Sequence, residues 1–162
     1  MKGVHFQPAF NFSEKVNKTF EEQKVRIRQL LPYADVQHIG STSVTNSITK
    51  GDLDVVVRVK KEEFKEAVEL LKSIYDINQS DNWSDTLASF KDDDTLGIDF
   101  GAQLVVKDSK SDDFVKLRDV LIEHPELVEE LNNIKAKHNG KAMKEYRKEK
   151  ADFFQRLREK FL

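Results

Sequence analysis

The sequence predicts a single α/β (α+β) domain over residues 1–162: a mixed β-sheet, an N-terminal helix and a C-terminal helical bundle. Three observations predict it. Leu53–Val59 is the clearest strand, five β-branched or apolar residues in seven,. A helical apolar stripe, Val16, Phe20, Ile27 and Leu31, precedes it,. Beyond residue 111 the apolar positions keep helical spacing almost to the end. The sheet core is expected over about 33–107 and the helices over about 111–161. A length of 162 residues suits one domain with a real core,.

Composition excludes several classes. There is no cysteine, so disulfides and thiolate metal sites are ruled out. No apolar run approaches the roughly 20 residues that span a membrane. The start, Met1–Pro8, lacks the apolar block of a signal peptide,, and a cytoplasmic location is expected. A net charge of −2 implies no whole-molecule attraction to nucleic acid,.

Taken in order, residues 1–11 are expected to form an extended arm. Ser13 is the expected cap of the first helix and Pro32 closes it,. Val36–Ile39 is a short strand that delivers the chain to Gly40-Ser41. A helix from about Thr42 would point free N–H groups at an anion. Lys61–Ile74 is amphipathic, with Phe64, Ala67, Val68 and Leu71 inward. Thr86–Phe90 and Thr95–Phe100 are expected as a hairpin around the charged turn Lys91–Asp94, with Leu104–Lys107 a further strand. Asp92, Asp93 and Asp94 are expected to be solvated turn residues. Ser111 is expected to cap a helix carrying Phe114, Leu117 and Leu121. His124 is expected at the next helix start, with Pro125 in its first turn. Leu127, Leu131 and Ile134 follow, and Asn139-Gly140 ends that helix. The last helix is expected over about 141–161.

Chemistry concentrates between His38 and Val59. Alternation puts Asp52, Asp54 and Val56 on one strand face and Leu53, Val55, Val57 and Val59 on the other. Cα atoms two apart on a strand are roughly 6–7 Å apart. Two carboxylates that close repel unless a cation lies between them or one keeps its proton. Mg²⁺ suits such a pair when a substrate phosphate completes its shell. Gly40 permits a tight turn, and the Ser41 and Thr42 hydroxyls could bond phosphate oxygens.

The Gly-Ser pair followed about ten residues later by Asp-apolar-Asp-apolar resembles the signature of the DNA-polymerase-β-like nucleotidyltransferase superfamily. A closer resemblance is to the GrpB family of predicted nucleotidyltransferases. It rests on His38-Ile-Gly-Ser-Thr-Ser-Val44 with Lys50, on Arg118-Asp119 with His124-Pro125, and on Tyr146-x-x-x-Lys150 with Phe154. The chain departs from that pattern at Thr45-Asn46 and Gly51, where the family usually has Pro-Gly and Pro. Either Asp52 or Asp54 could therefore be the principal metal ligand.

The resemblance implies a nucleotidyltransferase core and Mg²⁺ (or Mn²⁺) held by Asp52, Asp54 and Asp99. It implies a nucleoside triphosphate bound by Gly40, Ser41 and Thr42, with Lys50, Arg118 and Lys150 as counter-charges. His38, His124 and Tyr146 are possible accessory residues. Asp99 is the carboxylate placed to help deprotonate an acceptor hydroxyl. Residues 76–113 carry ten acidic and three basic side chains, and residues 135–160 ten basic and four acidic. That asymmetry reads as two solvated faces or as a basic helix closing phosphates against an acidic site. Lys150 either lies over Tyr146 or reaches a phosphate. The acceptor is unspecified, with weak support for nucleic acid and none for a membrane. The alternative is an inactive nucleotide- or CoA-related binding module, or a protein-interaction module, on the same fold.

Overall fold

In the computed structural model, which describes residues 5–162, the chain opens with a short strand, β1 (Gln7–Pro8), and a 3-10 turn at Ala9–Phe12. Residues 1–4 of the expected arm lie outside the described residues. Helix α1 (Ser13–Leu30) follows, then strands β2 (Asp35–Ile39), β3 (Ile48–Thr49) and β4 (Leu53–Val59). Next come α2 (Phe64–Lys72), β5 (Asp76–Asn78), β6 (Leu87–Asp92) and β7 (Phe100–Val106). Helices α3 (Phe114–Glu123), α4 (Pro125–Lys137) and α5 (Met143–Phe161) complete the chain.

Five strands form one sheet in the order β2-β4-β7-β6-β5. All its pairs are antiparallel except β4–β7. A parallel pair needs a long crossover, and α2, β5 and β6 make it. β1 pairs separately with β3, Gln7 opposite Thr49.

The central strand is buried on both faces. Leu53, Val55, Val57 and Val59 join Val16, Ile27, Phe64, Ala67 and Leu71 in a core beneath α1 and α2. On the opposite face Val56 packs with Ile39, Val105 and Phe114. Above that face Val44, Leu117, Leu121, Val128, Leu131, Phe153 and Leu157 knit α3, α4 and α5 together. The molecule is thus layered: helices, sheet, helical bundle.

Four local expectations change. Ser13 does not cap α1; its hydroxyl donates to the Phe10 carbonyl at 3.1 Å, because a 3-10 turn already leads into the helix. The strand expected at Thr95–Phe100 begins only at Phe100 and runs on through Leu104 to Val106, so the expected hairpin strand and further strand are one. The connection from β6 is longer because Asp92 is buried and organises it. Its Oδ1 accepts the N–H groups of Asp94 (3.0 Å) and Thr95 (2.8 Å), and its Oδ2 accepts the Thr95 hydroxyl. Those bonds, Thr95's first, hold Asp92 below the usual carboxylate range. Ser111 does not cap α3 either; its hydroxyl meets that of Thr86 at 2.8 Å.

Candidate active site

The site begins at the head of β4. Asp54 lies opposite Ile39 on the antiparallel side and Gly101 on the parallel side. Gly40, next after Ile39, has φ +78°, a conformation in which a side chain is strained,. A Cβ on Gly40 would come within 2.7 Å of Asp54 Oδ2, and one on Gly101 within 2.8 Å of Asp54 Oδ1. The carboxylate therefore occupies a slot that exists because both neighbours lack side chains. Burial, then the nearby Asp52 charge, pushes its carboxyl up to about 7; Lys150 and Lys50 oppose that rise. Asp52 forms an ion pair with Lys50 at 3.4 Å.

Asp54 opens onto a cavity of about 240 Å³ between the sheet and the bundle. Gly40, Ser41 and Ser47 line it beside Asp54, Leu117, Leu121 and Leu131 form its apolar side, and Arg118, Lys135, Lys150 and Arg158 bring cationic groups to it. The arginines are engaged elsewhere: Arg118 bonds Asp119 (2.9 and 3.0 Å) and the His38 carbonyl (3.0 Å), and Arg158 bonds Asp113 (2.7 Å). Neither lysine forms an ion pair among the described residues. Lys150 stands 5.7 Å from the Tyr146 ring centre. Burial pulls its ammonium below the ordinary lysine range. Lys135 is 1% exposed, and burial followed by the Lys150 charge pulls it down to about 7.

The Gly-Ser segment does not open a helix. Ser41–Ser43 makes a single 3-10 turn, and Val44 is already extended. Serine hydroxyls compete for the backbone here: Ser43 donates to the Gly40 carbonyl and Ser47 to the Ser41 carbonyl, each at 2.5 Å. Thr42 donates to the Asp52 carbonyl at 3.0 Å and meets His38 Nε2 at 2.9 Å. Since the hydroxyl proton goes to Asp52, His38 must donate from Nε2. Burial and then Arg118 lower His38 to about 4, so it is neutral at pH 7. This chain of bonds pins the turn to the head of β4 and uses up the Thr42 hydroxyl.

Of the residues expected at the site, Gly40, Ser41, Asp54, Arg118 and Lys150 line one cavity. Asp52 and Lys50 stand close enough for their charges to act on Asp54. Asp99 is exposed just before β7, and its carbonyl accepts the Leu53 N–H at 2.9 Å. Among the described residues no three His, Cys, Asp or Glu side chains group as a metal cluster. Tyr146 is buried edge-on against Phe6, 5.1 Å between ring centres. His124 packs on Phe161 at 4.8 Å and bonds Glu126 at 3.1 Å. Ser47, Gln103, Lys135 and Arg158 were not expected and line the cavity. Lys135 left a trace in the sequence: it shares the inward stripe of α4 with the buried Val128 and Leu131, where an apolar residue is the norm,.

Comparison with solved structures identifies the fold. A Cid1 poly(U) polymerase structure with MgGTP bound aligns at TM-score 0.54 and 11% identity, covering 82% of this chain and 42% of that one. A cytoplasmic RNA terminal U-transferase aligns at TM-score 0.53 and 12% identity, with 82% and 40% covered. The chain spans about two fifths of those enzymes, and the fold it shares with them is the nucleotidyltransferase fold. The conserved protein GrpB of Enterococcus faecalis aligns at TM-score 0.70 and 21% identity, covering 96% of this chain and 92% of that one. The family model described as GrpB protein matches residues 10–160. A UPF0157 protein of Vibrio cholerae serotype O1 is 32% identical over 154 residues, 95% of this chain and 81% of that one. The chain belongs to the GrpB family.

Proposed function

We propose that the protein transfers a nucleoside monophosphate from a nucleoside triphosphate to an acceptor hydroxyl, with Mg²⁺ or Mn²⁺. The observation that carries this reading is Asp54, a carboxylate seated between two glycines and facing a cavity lined by two lysines that form no ion pair among the described residues. The residues fit a divalent ion. The Asp52 charge adds to the cost of ionising Asp54, which a hard cation between them would relieve, with phosphate oxygens completing its shell. When bound, the ion neutralises phosphate charge and orients in-line attack.

The chain's own groups do the rest. The Gly40-Ser41 turn and Lys150 hold the triphosphate, and Lys50 and Arg118 lend positive potential. The acceptor oxygen bonds to the α-phosphorus, the α–β bridging bond breaks, and pyrophosphate leaves. The acceptor's proton passes to a carboxylate not held by the ion; Asp99 would have to turn inward to take it. The apolar wall of the cavity excludes water that would compete with the acceptor. The RNA-transferring enzymes of the same fold make an RNA end one acceptor to try.

The exposed Asp99 favours a second reading, a nucleotide-binding module without transfer. The two separate on pyrophosphate, since transfer releases one per nucleotide and binding releases none. Release that needs Mg²⁺ and an added alcohol, phosphosugar or RNA acceptor, and is lost in Asp54→Asn, supports transfer. Saturable binding of the magnesium–nucleotide complex without release supports the module.

A further inference from the structure

Lys135 is the cavity residue that the proposed reading leaves without a task. It comes from α4, in the bundle, and is 1% exposed. Its Nζ donates to the Ile48 carbonyl at 2.6 Å. An ammonium has three donors, and among the described residues this is its one hydrogen bond. Two N–H bonds on a buried cation are thus left at the cavity wall. The ionisable groups acting on it are Lys150, Asp52 and Lys50. Two of those three are cations, and the one anion, Asp52, is already paired with Lys50 at 3.4 Å; the carboxylates acting on Lys150 are Asp54 and the same Asp52. The arginines of the same cavity are already bonded to Asp119 and Asp113.

We propose that Lys135 is an anion ligand of this cavity, and that with Lys150 it clamps the phosphate end of an oligophosphate from the helical side. The proposal deepens the nucleotidyltransferase reading and rests on it for the identity of the donor. Two adjacent ammonium groups match a doubly charged terminal phosphate better than a single carboxylate. The Ile48 bond fixes the ammonium at the joint between α4 and the 46–50 loop, so little side-chain freedom is lost on binding. Clamping would therefore join the bundle to the loop that carries Ser47 and Lys50.

A structural role must be told apart from a binding one, and Asn132 supplies the control. It ties the same helix to the same loop: its Oδ1 accepts the Ile48 N–H at 2.9 Å and its Nδ2 donates to the Asn46 carbonyl at 2.7 Å. It carries no charge and does not line the cavity. Inorganic tripolyphosphate and the four nucleoside triphosphates are titrated calorimetrically into wild type, Lys135→Met, Asn132→Ala and Asp54→Asn, with and without Mg²⁺. Thermal denaturation of each variant establishes that it is folded.

A lost charge-assisted hydrogen bond should weaken tripolyphosphate binding by Lys135→Met about tenfold or more. Asn132→Ala should change it by less than about threefold, although both substitutions lower the melting temperature. Equal affinities in the two variants, or an unchanged affinity in Lys135→Met, overturns the proposal. Tripolyphosphate bound by wild type and Asp54→Asn but lost in Lys135→Met, with no magnesium-dependent nucleotide binding, keeps the clamp and overturns the transfer reading. Wild type that binds neither tripolyphosphate nor any nucleotide overturns both.

Discussion

Asp54 keeps its proton to about pH 7 because burial and Asp52 both penalise its charge. An unfolded chain releases that proton near the ordinary aspartate value of about 3.9. Between those values the folded state binds more protons than the unfolded one, so Asp54 takes stability away as pH rises from about 4 to about 7. His38 acts oppositely: lowered to about 4, it adds stability as pH rises toward its ordinary value near 6.5,. Asp54→Asn removes only the falling contribution. The melting temperature of that variant minus that of wild type should therefore grow from pH 4 to 7 and level off above. Thermal denaturation at four pH values checks this; a constant difference would mean that Asp54 is ionised throughout.

The glycine slot gives a second residue-level expectation. Gly101→Ala would set a Cβ 2.8 Å from Asp54 Oδ1 without backbone strain. Gly40→Ala adds a strained φ to a 2.7 Å clash. Gly40→Ala should cost about 1–3 kcal/mol of stability and Gly101→Ala less, measured by urea denaturation. Both should displace the carboxylate and weaken magnesium-dependent nucleotide binding.

At the scale of elements, the loop between β6 and β7 depends on one side chain. Asp92→Ala removes the acceptor for two backbone N–H groups and one hydroxyl. A loss of about 1–3 kcal/mol is expected in chemical denaturation, and since Asp92 stands opposite Phe100, the neighbour of Asp54's partner Gly101, the same substitution should also disturb the edge of the site. Asp92 also marks a limit of the sequence. A run of three aspartates reads as a solvated turn, and only the packed structure reveals that the first is buried and bonded. The strand carrying Asp54 was legible, because alternation with period two and a valine run admit few other readings. Asp99 was harder to place, since its role depends on where the β6–β7 connection ends and pairing begins. Gly101 could be seen as a gap, but not as Asp54's gap, because cross-strand register is set by tertiary contacts. Lys135 was visible only as a charge on an apolar stripe. Its meaning needs the α4–loop contact, made between residues 87 positions apart.

Across the whole molecule, the proposed site is a joint between layers. The sheet supplies Asp54 and the Gly-Ser turn; the bundle supplies Lys135 and Lys150. The N-terminal segment holds the joint from outside: β1 pairs with β3, the Phe6 N–H donates to Asn139 Oδ1 at 2.8 Å, and the Phe6 ring packs on Tyr146. Phe6→Ala should cost about 3 kcal/mol and loosen α5 against the 46–50 loop, seen as faster amide exchange in both segments. A ligand that bridges the layers should do the reverse. At one hundred times its dissociation constant it adds about 2.7 kcal/mol, or about 5–11 °C in melting temperature for a chain of this size.

The most direct measurement is calorimetric titration of each nucleoside triphosphate, with and without Mg²⁺, into wild type and Asp54→Asn. The expected result is saturable binding of at least one nucleotide that needs Mg²⁺ and is lost in the variant. Binding that ignores both the metal and the substitution, or no binding of any nucleotide, would contradict a nucleotidyltransferase site at Asp54.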